Sequence, residues 1–472
     1  MGKMTALVAL NLSGNRIVDF PEHMSSLRNL TTLDIRRNEF KMIPDCIENY
    51  TALKILQAGH NKIKTISSVL GECKMLEQLW MQDNLLTSVH PLVGQLNRLS
   101  TLNLGNNMIS SVPAHIGSCA ALTALALYGN GLARVPPALK KLKYLKRLQL
   151  DHNTIVDVPE ALMFMHHLGT LTFNDNQVSE MDGSVCKALA LTSLLFHNNK
   201  LEKLPDEIRL LSNLTELRLD GNKLAEITPE ISALHSLRLL VLSGNKLKEL
   251  PGSIKGLTSL TKLSIDANSL KTLPDEFGEL YNLERLWADG NILQQLPESF
   301  GELSALTELH LDKNHLHFLC DSFPKLTQLL ELFLHENSFG HVQLGEMGEV
   351  LGGPYGVPAC ICGLPKLKAL SLAHNDLDGS MLPESLTMLT NLTELWLQEN
   401  NFEELPQQVC NLPKLRYCLM DADMNAIGPT SAFFGQGAFP DEGENKLANA
   451  TRSARSKLQA RKGMLGKLLG QK

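Results

Sequence analysis

The stretch L-V-A-L-N-L-S-G-N at residues 7–15 decides the fold, because its spaced leucines and closing asparagine recur along most of the chain. Leucine, or a conservative replacement, stands at the same offsets before each later asparagine. Fifteen asparagines follow an unbroken spacing of 23 residues and two more come later, at Asn15, Asn38, Asn61, Asn84, Asn107, Asn130, Asn153, Asn176, Asn199, Asn222, Asn245, Asn268, Asn291, Asn314, Asn337, Asn375 and Asn400. A degenerate eighteenth unit has Asp423 in place of the asparagine. The sequence therefore predicts one repeat array over residues 1–425.

Each unit predicts a short strand followed by a tight return. In Leu240-Val241-Leu242 both leucines point inward and Val241 points outward, because side chains alternate along a strand. The return segment, such as residues 204–214, spaces apolar residues three to four apart, which is typical of a short helix or 3-10 turn. One unit cannot bury its leucines alone, so the units must stack. We expect about 17–18 parallel strands along an inner, concave face, with the returns on the convex side.

This pattern resembles the leucine-rich-repeat family, in the 23-residue intracellular form also used by Ras-group and Scribble-like scaffold proteins. The resemblance covers residues 1–425 and implies an α/β solenoid shaped as a curved horseshoe. For function it implies a protein-binding scaffold or adaptor in signalling, with a GTPase or a phosphatase as the implied partner. Two alternatives remain open: a structural subunit of a ciliary or cytoskeletal assembly, and the binding module of a larger chain whose other domain lies N-terminal.

Charge and cysteine content narrow the class of protein. The net charge is −6, and the eight Lys and Arg residues of segment 446–472 stand without any Asp or Glu, so the array carries the acidic excess. An acidic array argues against a nucleic-acid partner, because phosphate binding needs clustered basic residues. The nine cysteines form no regular framework, which favours a reducing, cytoplasmic location over a secreted receptor. No apolar run is long enough to predict a transmembrane segment.

The array is interrupted near its C-terminal end. About fifteen extra residues lie within 340–356, and two more lie within 378–381. Because both lengthen the loop that leaves a strand, we expect them to project from the same rim. Residues 426–440 are predicted as a C-terminal cap remnant. Residues 441–472 form a basic tail, either disordered or an amphipathic helix that makes weak membrane-surface contact. At the other end Leu7 already belongs to a repeat, so we expect further residues or a partner to cover it.

Motifs that would indicate chemistry are missing from the sequence. We find no phosphate-binding glycine loop, His-Glu-x-x-His zinc helix, nucleophile elbow or kinase signature, so we expect no enzyme activity and no cofactor. The only cluster that resembles a metal site is Cys360-x-Cys362, with His335, His341 and His374 near it in sequence. The two cysteines flank Ile361, which aligns with the isoleucine that the other units place on the convex side. We therefore expect these cysteines to pack in the core and to bind no metal.

One outward strand position, four residues after the first leucine of each unit, carries the partner-binding prediction. All three tryptophans of the chain, Trp80, Trp287 and Trp396, lie in this column, where they have no folding benefit. The alternative is a ladder of neighbouring side chains that stabilises the sheet. Two positions further on, aspartates form an acidic stripe that predicts basic groups on the partner. The predicted site residues are Trp287, His310, Phe333, His335 and Trp396 beside the 340–356 insertion, Trp80 and Tyr128 as a second contact, and Asp220, Asp266, Asp289 and Asp312 in the stripe.

Overall fold

The computed structural model describes residues 5–341, 343–344, 350–353 and 355–421. Its main feature is a parallel sheet of eighteen three-residue strands, one from each unit. These strands are β1 (Ala9–Asn11), β2 (Thr32–Asp34), β3 (Ile55–Gln57), β4 (Gln78–Trp80), β5 (Thr101–Asn103), β6 (Ala124–Ala126), β7 (Arg147–Gln149), β8 (Thr170–Thr172), β9 (Ser193–Leu195), β10 (Glu216–Arg218), β11 (Leu239–Val241), β12 (Lys262–Ser264), β13 (Arg285–Trp287), β14 (Glu308–His310), β15 (Glu331–Phe333), β18 (Ala369–Ser371), β19 (Glu394–Trp396) and β20 (Tyr417–Leu419), while β16 (Gln343–Leu344) and β17 (Val350–Gly352) form a separate antiparallel pair.

The strands stack in sequence order with equivalent residues side by side. In β13 and β14, for example, Leu286 lies opposite Leu309 and Trp287 opposite His310. The insertion does not break the sheet, because β15 pairs directly with β18 and places Phe333 opposite Ser371. Each column of residues therefore runs continuously across the sheet, and the outer two residues of a strand face away from its buried middle residue.

The returns on the other side are 3-10 turns, with one short α-helix at the end. The bounds of the 3-10 turns are Glu22–Ser26, Asp45–Asn49, Ser68–Glu72, Pro91–Gln95, Ala114–Ser118, Pro137–Lys141, Glu160–Phe164, Val185–Lys187, Asp206–Leu210, Pro229–Ala233, Gly252–Gly256, Asp275–Glu279, Glu298–Glu302, Phe323–Lys325, Ala359–Gly363, Gly379–Met381 and Glu384–Met388, and α1 is Gln407–Cys410. A proline precedes most of these turns in an extended conformation, for example Pro205 and Pro274. The predicted solenoid fold is confirmed, with 3-10 turns as its usual return.

Leucine columns and an asparagine ladder hold the units together. The consensus leucines from Leu27 to Leu397 are almost fully buried, while Leu7 and Leu10 of the first unit are half-buried at the end of the stack. Phe277, Phe300 and Phe323 stack in parallel on the return side, with ring centroids 6.1 and 6.3 Å apart. Because neighbouring units share these columns, each unit covers the apolar surface of the next.

The repeat asparagine bonds two units at once. In Asn245 the side-chain Nδ2 donates to the carbonyl oxygen of Leu219 at 3.0 Å, and Oδ1 accepts from the backbone nitrogen of Leu224 at 3.0 Å. The residue before the asparagine takes a left-handed conformation, with φ of 63° at Gly244 and 51° at Ala267. This geometry turns the chain off the strand and satisfies buried backbone groups of the preceding unit.

The described end of the insertion, residues 355–356, packs against neighbouring units. The backbone nitrogen of Gly356 donates to the Phe339 carbonyl, and that of Val357 donates to the Met381 carbonyl, each at 2.9 Å. The two extended loops therefore lie side by side. The Tyr355 ring packs edge-on against Phe318 of an earlier unit, with centroids 6.3 Å apart. The predicted cap remnant 426–440 and basic tail 441–472 lie outside the described residues.

Candidate partner-binding face

A row of rings crosses the concave face at the C-terminal end of the sheet. Trp287, His310 and Phe333 are consecutive in one column, and the structure extends the row through Trp396 to Tyr417. The ring centroids are 6.3, 4.3, 6.0 and 6.1 Å apart along this series, and the His310 and Phe333 rings stack within 15° of parallel. We call these five side chains the aromatic ladder. Its rings form a continuous row of aromatic side chains across five strands of this face, from β13 to β20 without β18.

The ladder depends on close packing across β18. Ser371 stands between Phe333 and Trp396 in the register, and its small side chain is buried. Phe333 and Trp396 therefore meet above it. Trp396 is only 8% exposed, which differs from the solvent-facing position expected for it, because Phe333 and Tyr417 flank its indole. Trp287, His310 and Phe333 remain half-buried and keep a solvent-facing surface.

Glutamates border the ladder on one side. Glu308, Glu331 and Glu394 occupy the first position of strands β14, β15 and β19, and we call them the glutamate column. Burial, and then the charge of Glu331, raise the pKa of the Glu394 carboxyl above its usual value. Glu308 is buried, with its carboxylate 3.0 Å from His310 Nε2 and 3.4 Å from Arg285 Nε. The column therefore places negative charge beside the rings.

Aspartates border the ladder on the other side. Asp266, Asp289 and Asp312 follow strands β12, β13 and β14, and we call them the aspartate column. Burial, and then the neighbouring Asp266 carboxyl, raise the pKa of Asp289. Burial, and then the charge of Asp289, raise the pKa of Asp312 to about 7. The column therefore concentrates negative charge that has lost part of its hydration.

Asp312 and His335 face each other at the end of this column. Asp312 Oδ2 lies 3.2 Å from His335 Nε2, and Asp312 Oδ1 lies 3.8 Å from His310 Nδ1. Burial lowers the pKa of the His335 imidazole to about 4, so the ring is neutral near pH 7. A neutral imidazole leaves the Asp312 charge uncompensated, which is consistent with the raised pKa of that carboxyl.

The N-terminal pair, Trp80 and Tyr128, lies far from the ladder. Trp80 is half-buried on β4, and its Nε1 donates to Gln78 Oε1 at 3.3 Å. The Tyr128 ring lies against the backbone of Gly105, where a Cβ would come within 2.3 Å of the ring. At about 4.8 Å per strand, Trp80 and Trp287 are roughly 40 Å apart along the sheet. The two groups therefore form separate surfaces.

Asp220 also lies apart, four strands before Asp312 in the same column, beside the strand residues Arg218 and Val241. Its Oδ1 atom is buried without a hydrogen bond within the described structure. No aromatic side chain occupies the outward position of its own strand or of the next one. The acidic stripe predicted from sequence thus includes one member outside the ladder.

Five of the nine cysteines are buried in the core. Cys73 and Cys186 are buried thiols, and burial raises the pKa of each to about 12. Cys362 is buried beside the buried Ile361, and no three His, Cys, Asp or Glu side chains in the described ranges come together as a metal site. Nor does any helix in the described part of the chain have the length and apolar run needed to cross a membrane.

Tyr417 and the glutamate column were missed from sequence. Tyr417 belongs to the same column as Glu394, two residues before the tryptophan position of the strand. It joins the ladder because its ring reaches Trp396 diagonally. A signal for the glutamates was present, because alternation puts both outer residues of a strand on one face. The predicted site drew only on the tryptophan column and the aspartate column, and neither of them contains Tyr417 or the glutamates.

Comparisons with known proteins agree with this architecture. The family model for leucine rich repeats matches residues 5–63, 212–270 and 258–316. Comparison with curated protein sequences finds no match. The chain is similar to the solved LRR protein LIC12759 of Leptospira interrogans, with 28% identity, a TM-score of 0.73, and coverage of 89% of this chain and 97% of that one.

Two further solved structures are also similar. The plant peptide hormone receptor RGFR1, solved in complex with RGF2, shares 26% identity at a TM-score of 0.70, with coverage of 89% of this chain and 71% of that one. The functional domain of InlJ from Listeria monocytogenes shares 21% identity at a TM-score of 0.61, with coverage of 83% and 73%, which shows the fold alone.

Proposed function

This chain is a leucine-rich-repeat protein, and from that premise we propose that it is a non-enzymatic scaffold whose protein partner docks on the concave face around the aromatic ladder. The observation that carries the proposal is the placement of Trp287, His310 and Phe333 on the solvent side of the sheet. Large rings in this position add nothing to the leucine core. Aromatic anchors surrounded by polar residues are typical of the energetic centre of protein interfaces.

The surroundings of the ladder support the same proposal. A rigid array of eighteen paired strands presents the rings without ordering a loop, so docking costs little conformational entropy. The glutamate and aspartate columns supply a polar border that excludes partners of the wrong charge. The plant peptide hormone receptor RGFR1, which has the same type of fold, was solved in complex with RGF2. We propose by analogy that the present partner is a protein or an extended peptide.

The cellular setting belongs to the same proposal. We place the protein in the cytoplasm as a signalling adaptor, and the support for the location is its set of nine free thiols, of which Cys73, Cys119 and Cys186 lie in the core. A GTPase or phosphatase partner rests on the sequence resemblance to Ras-group and Scribble-like scaffolds alone. The location is tested by fractionating cells that express the full chain, and a secreted, glycosylated product would contradict it.

Differential affinity capture tests the binding face. The full chain and a Trp287→Ala/Phe333→Ala variant are used to capture proteins from cell lysate, after their unfolding midpoints have been compared. The matched control is Tyr144→Ala/Tyr281→Ala, which removes two aromatic side chains that are 60% and 57% exposed away from the ladder. We expect a partner that is lost with the ladder variant and kept with the control. Identical partners for all three proteins would contradict the proposal.

A further inference from the structure

The three members of the aspartate column differ in how their carboxylates are satisfied. Asp266 accepts hydrogen bonds from the hydroxyls of Ser243 and Ser264, the first at 2.5 Å. Asp312 has no such donors. Its Oδ2 faces His335. Its Oδ1 is buried and has no hydrogen bond in the described structure, and the residue as a whole is only 6% exposed. A buried carboxylate oxygen without a donor is costly, so this atom is a position where a ligand donor would be stabilising.

We propose that the slot between Asp289 and Asp312 binds an arginine side chain of a separate protein partner. This inference rests on the proposed function and names the chemistry that the partner brings to the same face. The two carboxyls extend from equivalent positions after neighbouring strands, which are about 4.8 Å apart. A guanidinium presents five N–H donors in one plane, so one arginine reaches both carboxylates and supplies the donor that Asp312 Oδ1 lacks.

The aromatic ladder favours arginine over lysine. The stacked rings of His310 and Phe333 lie in the adjacent column, with centroids 4.3 Å apart. A guanidinium is less strongly hydrated than an ammonium group, so it gives up less on entering a half-buried position beside these apolar rings, whose faces are turned toward each other. The glutamate column lies on the far side of the rings and adds negative charge around the incoming side chain.

Binding of this cation is coupled to proton release from Asp312. The charged and titratable groups around that carboxyl are Asp289 on the preceding unit, His310 and Lys313 on its own unit, and His335 on the next. Asp266 acts on Asp289 from one unit further back, and Glu336 and His374 act on His335. A carboxyl with a pKa of about 7 is mostly protonated at pH 6 and mostly ionised at pH 8. Because only the ionised form attracts a cation, the affinity rises by about tenfold between these pH values.

Calorimetric titration of the full chain with a defined peptide tests the inference. The probe is acetyl-Arg-Ala-Arg-Ala-Arg-amide, and its control carries citrulline, a neutral isostere, at the three arginine positions. We expect the arginine peptide to bind about tenfold more tightly at pH 8 than at pH 6 and the citrulline peptide to bind at least tenfold more weakly at pH 8. Lysine at the three positions should lower the affinity severalfold. Equal binding of arginine and citrulline peptides would overturn the inference.

Two variants separate this site from general attraction to an acidic surface. Asp312→Asn should abolish the pH dependence and lower the affinity at pH 8 by about tenfold. Asp151→Asn changes a carboxyl of the same column that lies outside the ladder and already accepts hydrogen bonds from Thr172 and Asn174, so it should change the affinity by less than twofold. An equal loss in both variants would overturn the site, and so would pH dependence that persists in Asp312→Asn.

The remaining outcomes distinguish the two proposals and the alternative occupants. If Asp312→Asn keeps a captured partner that Trp287→Ala/Phe333→Ala loses, the binding face stands and the arginine site fails. If Asp312→Asn changes the sedimentation coefficient of the chain without any peptide, the occupant is a second copy or the chain's own basic segment 446–472. Either of these occupants would contradict a separate partner.

Discussion

The asparagine ladder gives a quantitative test of how the array is held together. Asn314 is 3% exposed, and its Nδ2 donates to the carbonyl oxygens of Ala288 and Leu311 at 3.0 Å and of Asp312 at 3.2 Å. Its Oδ1 accepts from the backbone nitrogen of Leu293 at 3.0 Å. The substitution Asn314→Ala removes all four bonds without changing the leucine core.

The free energy cost of Asn314→Ala depends on which of its four backbone partners keep another hydrogen bond. The Ala288, Leu311 and Asp312 carbonyls retain donors from Asn291, Asn337 and Gly290 respectively. The Leu293 amide has no other acceptor in the described part of the chain. One orphaned buried donor costs about 1–3 kcal/mol, and the three weakened carbonyl bonds add about 0.5 kcal/mol each. We expect Asn314→Ala to lower the free energy of unfolding by about 3 kcal/mol.

Asn15 is the matched control, because it has the same consensus position but lies in the first unit. It is exposed, and its bonds go to Leu12 and Ser13 of its own turn. Asn15→Ala should therefore cost less than about 1 kcal/mol. Urea unfolding followed by circular dichroism gives both values, and hydrogen exchange at the Leu293 amide tests the local cause. Equal costs at the two positions would refute the reasoning.

Three further predictions concern charge, backbone and thiols. The pKa of the Asp312 carboxyl is raised from 3.8 to about 7, so this group makes folding less favourable as the pH rises from about 4 to 7. The stability gained by Asp312→Asn should therefore grow over this range, to at most about 4 kcal/mol. A gain that does not depend on pH would contradict this prediction. Gly244→Ala should lower the free energy of unfolding by about 1 kcal/mol and Ala267→Gly should raise it, because the backbone has positive φ at both positions. Calorimetric melting measures both changes, and two changes of the same sign would contradict the prediction. With iodoacetamide, exposed Cys410 should react in the native protein while buried Cys73 reacts only on unfolding, and peptide mass spectrometry that found Cys73 alkylated first would contradict the buried assignment.

Periodicity alone predicted the parts of the structure that every unit repeats. The leucine columns, the strand positions and the asparagine bonds follow from local spacing, which is why residues such as Leu240 and Asn245 lie where the sequence placed them. The concave position of the tryptophans follows from the same alternation. These features need no knowledge of contacts between distant units.

The sequence could not predict features that depend on packing between particular side chains. The length of the insertion does not reveal that β15 pairs directly with β18, which brings Phe333 and Trp396 together over Ser371. Nor does a column of aspartates reveal which carboxylate accepts serine hydroxyls and which has a buried oxygen without a donor. Asp266 and Asp312 look equivalent in the sequence and differ in the fold.

Hydroxyl-radical footprinting of the complex with a captured partner shows whether that partner docks on the aromatic ladder. Trp287 is half-buried on the ladder and Tyr281 is 57% exposed away from it, so both side chains oxidise in the free protein and Tyr281 acts as the internal control. We expect the partner to protect Trp287 and to leave the oxidation of Tyr281 unchanged. Equal oxidation of Trp287 with and without the partner would contradict docking on the aromatic ladder.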